Sequence, residues 1–270
     1  MVVQHNMQAQ NTNRMLGQNV KAVSKATEKL SSGYQVNRAA DDAAGLSISE
    51  KMRNQIRGIN QAVKNSEDGV SLIQTAEGNM NEIHSILQRM GELATKAAND
   101  VNATEDRTAI KDEIDELTKE IDSIAGKAAF NGTKLLTGSF TAKQLQVGAV
   151  GGENMRIDIS SMASSALGVS ALSVSAHSKA ADAMSAITSA IKSVSAARSR
   201  LGAKQNRLEY TINNLENYAE NLTAAESQIR DTDMAKEMTN YTKNNILQQA
   251  AQSMLAQANQ STQGVLSLLQ

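Results

Sequence analysis

A seven-residue hydrophobic interval runs from Ile187 through Val194, Leu201, Leu208, Leu215 and Leu222 to Ile229. Ile191, Ile212 and Ala219 occupy the companion position four residues on, and the polar Arg198 and Gln205 interrupt it. A stripe of that period held over about six repeats specifies a long helix with a coiled-coil seam. A helix over 178–229 would extend about 75 Å at 1.5 Å per residue, too long for a compact domain of this mass. Such continuity tolerates no breakers. The chain has no Pro in 270 residues, where roughly a dozen would be usual. Aromatics make up 2% of it and Trp is absent, so its seams must be filled by aliphatic residues and Met.

A second stripe passes through Ile56, Ile59, Val63, Val70, Ile73, Met80, Ile83, Leu87 and Met90 in steps mostly of three and four. It predicts a helix over 42–99. Ile110, Ile114, Leu117, Ile121 and Ile124 predict a third over 104–128, and the short polar loop 99–103 favours an antiparallel return. Between 139 and 162 the period changes. Leu145 and Val147, then Ile157 and Ile159, alternate with polar residues around GAVGGEN, which predicts a β-hairpin with a glycine-rich turn. The serine-rich stretch that follows reads as a surface crossover. The expected fold is mainly α: an elongated antiparallel helical rod over 42–233 with a small β-hairpin region.

The two ends are set apart from this rod by polar joints. Leu16, Val20, Val23 and Leu30 form a short apolar pattern that stops at Gly33, a residue suited to the left-handed helix cap. Asp41 and Asp42 stand before the long stripe, where carboxylates accept the free amide hydrogens of a helix start. At the other end Asp231, Thr232 and Asp233 interrupt the heptads. A further helix then carries Met234, Met238, Ile246, Ala250, Met254, Ala258 and Val265 to the last residues, VLSLLQ, with Leu266 and Leu269. Each terminal segment alone is a marginal helix whose apolar face needs a partner. The expectation is therefore that 1–33 pairs with 234–270 as a terminal-helix coiled coil, then with the ends of neighbouring copies. Residues 34–41 form a spoke.

Several function classes find no support. A net charge of −1 provides little attraction for nucleic acid or anionic lipid. No apolar run approaches the length of a membrane span. The N-terminus lacks the basic and apolar sequence of a cleaved signal. Without Cys there is neither disulfide nor thiolate chemistry. His5, His84 and His177 are scattered with no ligand spacing, so no metal or other cofactor is expected. Asp41 and Asp42 suit capping better than acid–base work, and Asn131-Gly132-Thr133 reads as a turn before it reads as a glycosylation triplet. No phosphate loop or nucleophile constellation is present, and an enzyme is not expected.

The chain resembles the bacterial flagellin family. The resemblance is carried by Glu28 to Gly78, which contains EKLSSGYQVNRAADDAAGLSISEKMR, by ILQRMGELATKAAND from Ile86 to Asp100, by FNGTKLL from Phe130 to Leu136, and by the C-terminal NQSTQGVLSLLQ. It implies a short form without outer variable domains. It further implies a structural subunit exported unfolded through the flagellar secretion channel and polymerised beneath a cap into a hollow extracellular filament used for motility. The implied partners are further copies of itself, an export chaperone, and the cap and hook-junction proteins. The terminal residues Leu16, Val20, Val23, Leu30, Met254, Val265, Leu266 and Leu269 would build the filament core. The flagellin-sensing Toll-like receptor of an animal host would recognise a patch matched here by Arg89, Leu93 and Glu113. Gly91 departs from that pattern, standing where the family often has a second Arg, and Gln270 stands where many relatives end in Arg. A hook–filament junction protein is one alternative, disfavoured by the long matches through NRAADDAAGLSISEKMR and LQRMGELATKAAND; a coiled-coil adaptor is the other, and it gives no reason for both ends to be detachable and helical.

Overall fold

The computed structural model describes the backbone of residues 6–267 and the side chains of residues 6–261. Helices α1 (Met7–Ser32), α2 (Ala43–Ala97) and α3 (Thr104–Lys127) come first. Strands β1 (Ala129–Phe130), β2 (Thr133–Lys134), β3 (Lys143–Gln146) and β4 (Asn154–Ile157) follow, and then helices α4 (Ser164–Leu167), α5 (His177–Arg230) and α6 (Met234–Ser267). The chain divides into two compact units, Met1–Gln55 with Glu220–Gln270, and Ile56–Ala219.

The Ile56–Ala219 unit holds a continuous aliphatic core. From α2 it buries Ile73, Met80, Ile83, Leu87 and Met90, each 0% exposed. Ile110, Ile114 and Ile121 of α3 and Ile187, Val194, Leu201 and Leu208 of α5 join them. Ala76, Ala94, Ala183, Ala190 and Ala197 alternate with these larger side chains, so the facing surfaces interdigitate. Each large aliphatic residue removed from water contributes about 1.5–3 kcal/mol, which is why this core can form without aromatic anchors. The expected heptads are therefore buried as far as Leu208. Beyond it, Leu215 is only half-buried.

The hairpin of β3 and β4 is antiparallel, with Leu145 opposite Met155 and Lys143 opposite Ile157. Met155, Ile157 and Ile159 face inward at alternate positions, as the period of two requires. Two glycines of α2 admit this hairpin. A Cβ on Gly69 would stand 2.4 Å from Leu145 Cδ2, and one on Gly58 would stand 3.0 Å from the Cβ of Ala149. Asn65 fastens the same approach by donating to the Gln146 carbonyl at 3.2 Å. Two small elements go beyond the expectation. Asn131 (φ 47°) and Gly132 (φ 75°) form the turn of a hairpin between β1 and β2, the geometry that Asn-Gly favours. The serine-rich crossover contains α4, whose Ser164 donates its N–H and hydroxyl to Asp122 at 2.8 and 2.7 Å.

In the terminal unit α1 packs along α6. Asn6 caps α1 by accepting from the Ala9 amide at 3.0 Å, and its Nδ2 reaches the Ala258 carbonyl at 3.0 Å. Gly33 closes α1 in the left-handed conformation, φ 76°, as its place in the sequence requires. Asp42 caps α2 through the Gly45 amide at 2.9 Å. Asp41 does not share that task. It accepts from the Arg38 amide at 3.2 Å and pairs with Lys25 at 2.8 Å, tying the connecting segment to α1.

Candidate assembly and recognition surfaces

The pairing of the terminal helices follows the apolar pattern on α1 but leaves most of the apolar residues of α6 outside the seam. On α1 the partly or fully buried positions include Thr12, Leu16, Asn19, Val23, Ala26 and Leu30, spaced alternately by four and three. On α6 they include Tyr241, Asn245, Gln248, Ala251, Leu255 and Ala258. Both seams carry polar side chains, and only Ala26 and Ala258 are almost wholly buried, at 2% and 8% exposure. A seam of that composition is weakly stabilising and mainly fixes register.

Most of the α6 stripe is turned outward. Met234, Met238, Ile246 and Met254 are 47%, 49%, 60% and 62% exposed. Leu247 on α6 and Met15 and Val20 on α1 are exposed as well. Of the candidate core residues, Leu16, Val23 and Leu30 thus lie in the seam, whereas Val20 and Met254 lie on the open faces. The side chains of Val265 and Leu266, and Leu269 altogether, fall outside the described residues. Ala258 belongs to the expected pattern of α6 and is the member of it that the seam buries; Ala26 escaped sequence reasoning because small residues contribute little to a hydrophobic pattern, although close helix approach needs them.

The joint beside these helices is held by a separate constellation. The Tyr34 backbone bridges that of Asp231, the Thr232 amide donates to the Gly33 carbonyl at 2.9 Å, and the Gln35 amide donates to the Arg230 carbonyl at 2.7 Å. Arg230 also pairs with Glu50 at 2.7 Å and lies 4.7 Å from the centre of the Tyr34 ring. The Arg230 guanidinium, with Arg53 nearby, holds the Glu50 carboxyl below its usual range. Lys25 does the same for Asp41, helped by the Arg38 amide. The sequence marks 34–41 only as polar, so this clamp was not foreseen.

The three residues expected to form a receptor patch all lie in the Ile56–Ala219 unit. Arg89 donates through Nε and Nη2 to one oxygen of Glu113, at 3.1 and 3.0 Å, and through Nη1 to Glu92 at 3.1 Å. Both carboxylates, Glu113 first, favour the charged guanidinium and raise its pKa. Arg89 and Glu113 are exposed, but Leu93 is 4% exposed and belongs to the core. Gly91 faces α5: a Cβ there would lie 3.7 Å from Ile187 Cγ2.

Among the described residues no group of three His, Asp or Glu side chains could hold a metal ion. Among them, too, no helix is long and apolar enough to cross a membrane.

Comparison with known proteins gives the chain its relatives. Residues 3–141 match the family described as the bacterial flagellin N-terminal helical region, and residues 184–269 match the bacterial flagellin C-terminal helical region. The chain is 53% identical to a flagellin of Halalkalibacterium halodurans, with both sequences covered completely. It is 47% identical, again over all of both sequences, to a flagellar filament core protein of Treponema phagedenis. Among solved structures, Bacillus cereus flagellin superposes with a TM-score of 0.52 at 30% identity, covering 60% of this chain and 94% of that one.

Proposed function

The chain belongs to the bacterial flagellin family, and from that premise we propose how its surfaces serve a structural subunit of the flagellar filament. Such a subunit is a self-assembling structural protein and not an enzyme, and the filament it builds is extracellular. In our reading, residues 1–33 with 234–270 form the filament core by contacts among copies, and 34–41 is the spoke. One observation carries this reading: Ile246 and Met254 are 60% and 62% exposed on a helix whose other face is already paired. Burying each in a neighbouring copy contributes about 1.5–3 kcal/mol, repeated at every subunit.

The test is assembly of an Ile246→Ser, Met254→Ser double variant, followed by electron microscopy and far-ultraviolet circular dichroism. Folded monomer without tubes is the expected result. Tubes formed at the ordinary concentration would overturn the role given to the outward stripe.

The finer partners belong to the same proposal. The subunit travels unfolded through the flagellar export channel, with a chaperone on its C-terminal segment, and adds beneath the cap beyond the hook-junction proteins. The flagellin-sensing Toll-like receptor reads the Arg89 and Glu113 pair, with Leu93 supporting that surface from the core. Arg89→Ala would weaken receptor binding and leave filament formation unchanged. Unchanged receptor affinity in a binding assay would remove Arg89 from the patch.

A further inference from the structure

We propose that the exposed face of α5 between Lys192 and Arg207 receives α3 of a neighbouring copy through a ladder of three ion pairs; this rests on the self-assembly reading and goes beyond it. From Ala183 to Leu208 the chain carries Lys192, Arg198, Arg200, Lys204 and Arg207 and no acidic residue. Arg198 is paired with Glu77 and Lys204 reaches Asp158 within the chain. Lys192, Arg200 and Arg207 are exposed and, among the described residues, enter no ion pair. At about 100° per residue these three fall within one arc of about 80° on the helix. Ala196, Ser199 and Ala203 separate them and leave the surface low enough for another helix to approach. The strip continues into a shallow groove of about 420 Å³ lined by Ala203, Arg207 and Tyr210, with Tyr210 77% exposed.

The complement is on α3 of the same sequence. Glu105, Asp112 and Glu120 are exposed and, among the described residues, unpaired, and they too fall within one arc of about 80°. Both triads span sixteen residues, with intervals of seven and eight on α3 and eight and seven on α5. The two ladders therefore superpose to within one residue, about 1.5 Å, whichever way the helices run. A homopolymer meets its own surface at every contact, so a charge-segregated pair of faces on one subunit is complementary to itself. Opposed charges of this kind fix register and disfavour wrong docking more than they add affinity. The net charge of −1 shows the opposite signs to be a matter of placement, since the chain as a whole is nearly neutral.

Two variants test it: one with Lys192→Glu, Arg200→Glu and Arg207→Glu, the other with Glu105→Lys, Asp112→Lys and Glu120→Lys. All six positions are exposed, and circular dichroism checks that each monomer is helical. Each variant alone places like charges at the contact, and its critical concentration for filament formation is expected to rise about tenfold, from three exposed pairs of modest strength. An equimolar mixture restores opposite charges wherever unlike copies meet, and is expected to assemble within about twofold of the wild type. Assembly of the α5 variant alone at the wild-type concentration would overturn the proposal. So would two helical monomers that fail alone and also fail when mixed. A wild-type chain that formed no tubes would instead break the filament reading itself, which keeps the two failures apart.

Discussion

The Ile56–Ala219 unit and the unit of the two termini are built from helices of similar composition, yet they dispose of their apolar residues in opposite ways. The first hides Met80, Ile83, Leu87, Met90 and Val194 completely. The second leaves Met234, Met238, Ile246, Leu247 and Met254 in solvent and buries mainly alanines, with Val36, inside its own fold. Hydrophobic burial is the dominant favourable term in folding and in association alike, so the apolar area a unit leaves uncovered is area available to a neighbour. The Ile56–Ala219 unit uses its apolar residues to fold. The terminal unit leaves them exposed, which in our proposal serves polymerisation, and it holds its helices in register through polar and backbone contacts.

The largest effect that could break this contrast comes from truncating one residue in each unit. Leu87→Ala is expected to cost about 2–5 kcal/mol of monomer stability, whereas Ile246→Ala should stay within about 0.5 kcal/mol and act on filament formation instead. Chemical denaturation of both monomers, followed by sedimentation of the assembled material, separates the two. Comparable losses of monomer stability would mean that α6 folds by its own burial after all.

Glycines within α2 give a finer comparison. Gly69→Ala forces a methyl against Leu145 and should cost about 1–3 kcal/mol, reduced by the better helix propensity of Ala. Gly78→Ala meets nothing within 4 Å and should stabilise by about 1 kcal/mol. If thermal melts moved both variants the same way, the close packing of the hairpin on α2 would not be what Gly69 serves.

Smaller effects are expected at the joint of the terminal unit. Tyr34→Leu removes the ring facing Arg230 and should cost about 0.5–1 kcal/mol. Hydrogen exchange at the Gln35 and Thr232 amides reports it locally, and unaltered exchange there would show the backbone bridge to hold without the ring.

The acid limb supplies the mildest test. Asp41 and Glu50 both have lowered folded-state pKa values, through Lys25 and Arg230 respectively. Their contribution is complete above the unfolded carboxylate values of about 4 and is lost as pH falls through the depressed folded values. The joint should loosen in acid before the aliphatic core does. In Asp41→Asn the part owed to Asp41 should be missing at neutral pH and the acid slope correspondingly shallower. An identical acid slope in that variant would remove Asp41 from the linkage.

Much of the helical architecture was legible in the chain because it depends on local chemistry. The heptads from Ile187, the stripe through Ile73 to Met90, the absence of Pro and the cap at Gly33 each act within a few turns of backbone. They fixed the helices to within a few residues. The hairpin at 143–157 was legible for the same reason, since alternation and a glycine-rich turn are local signals. The pattern of apolar residues also pointed to both chain ends as sites of assembly. It did not tell which face of α6 would pack on α1. Apolar periodicity records which residues want cover, not whether the cover comes from the same chain or from another copy.

What only the tertiary structure decided is where separate local signals meet. Arg230 finds Tyr34 and Glu50 across long stretches of sequence, Arg89 finds Glu113 on the next helix, and Leu93 turns inward although it shares a helix face with Arg89. The sequence alone determined that this chain forms long aliphatic-seamed helices with amphipathic ends, because propensity, period and capping are properties of neighbouring residues. Which apolar side chains are spent inside the subunit and which stay exposed was decided by packing, because burial depends on every surface that could supply the cover.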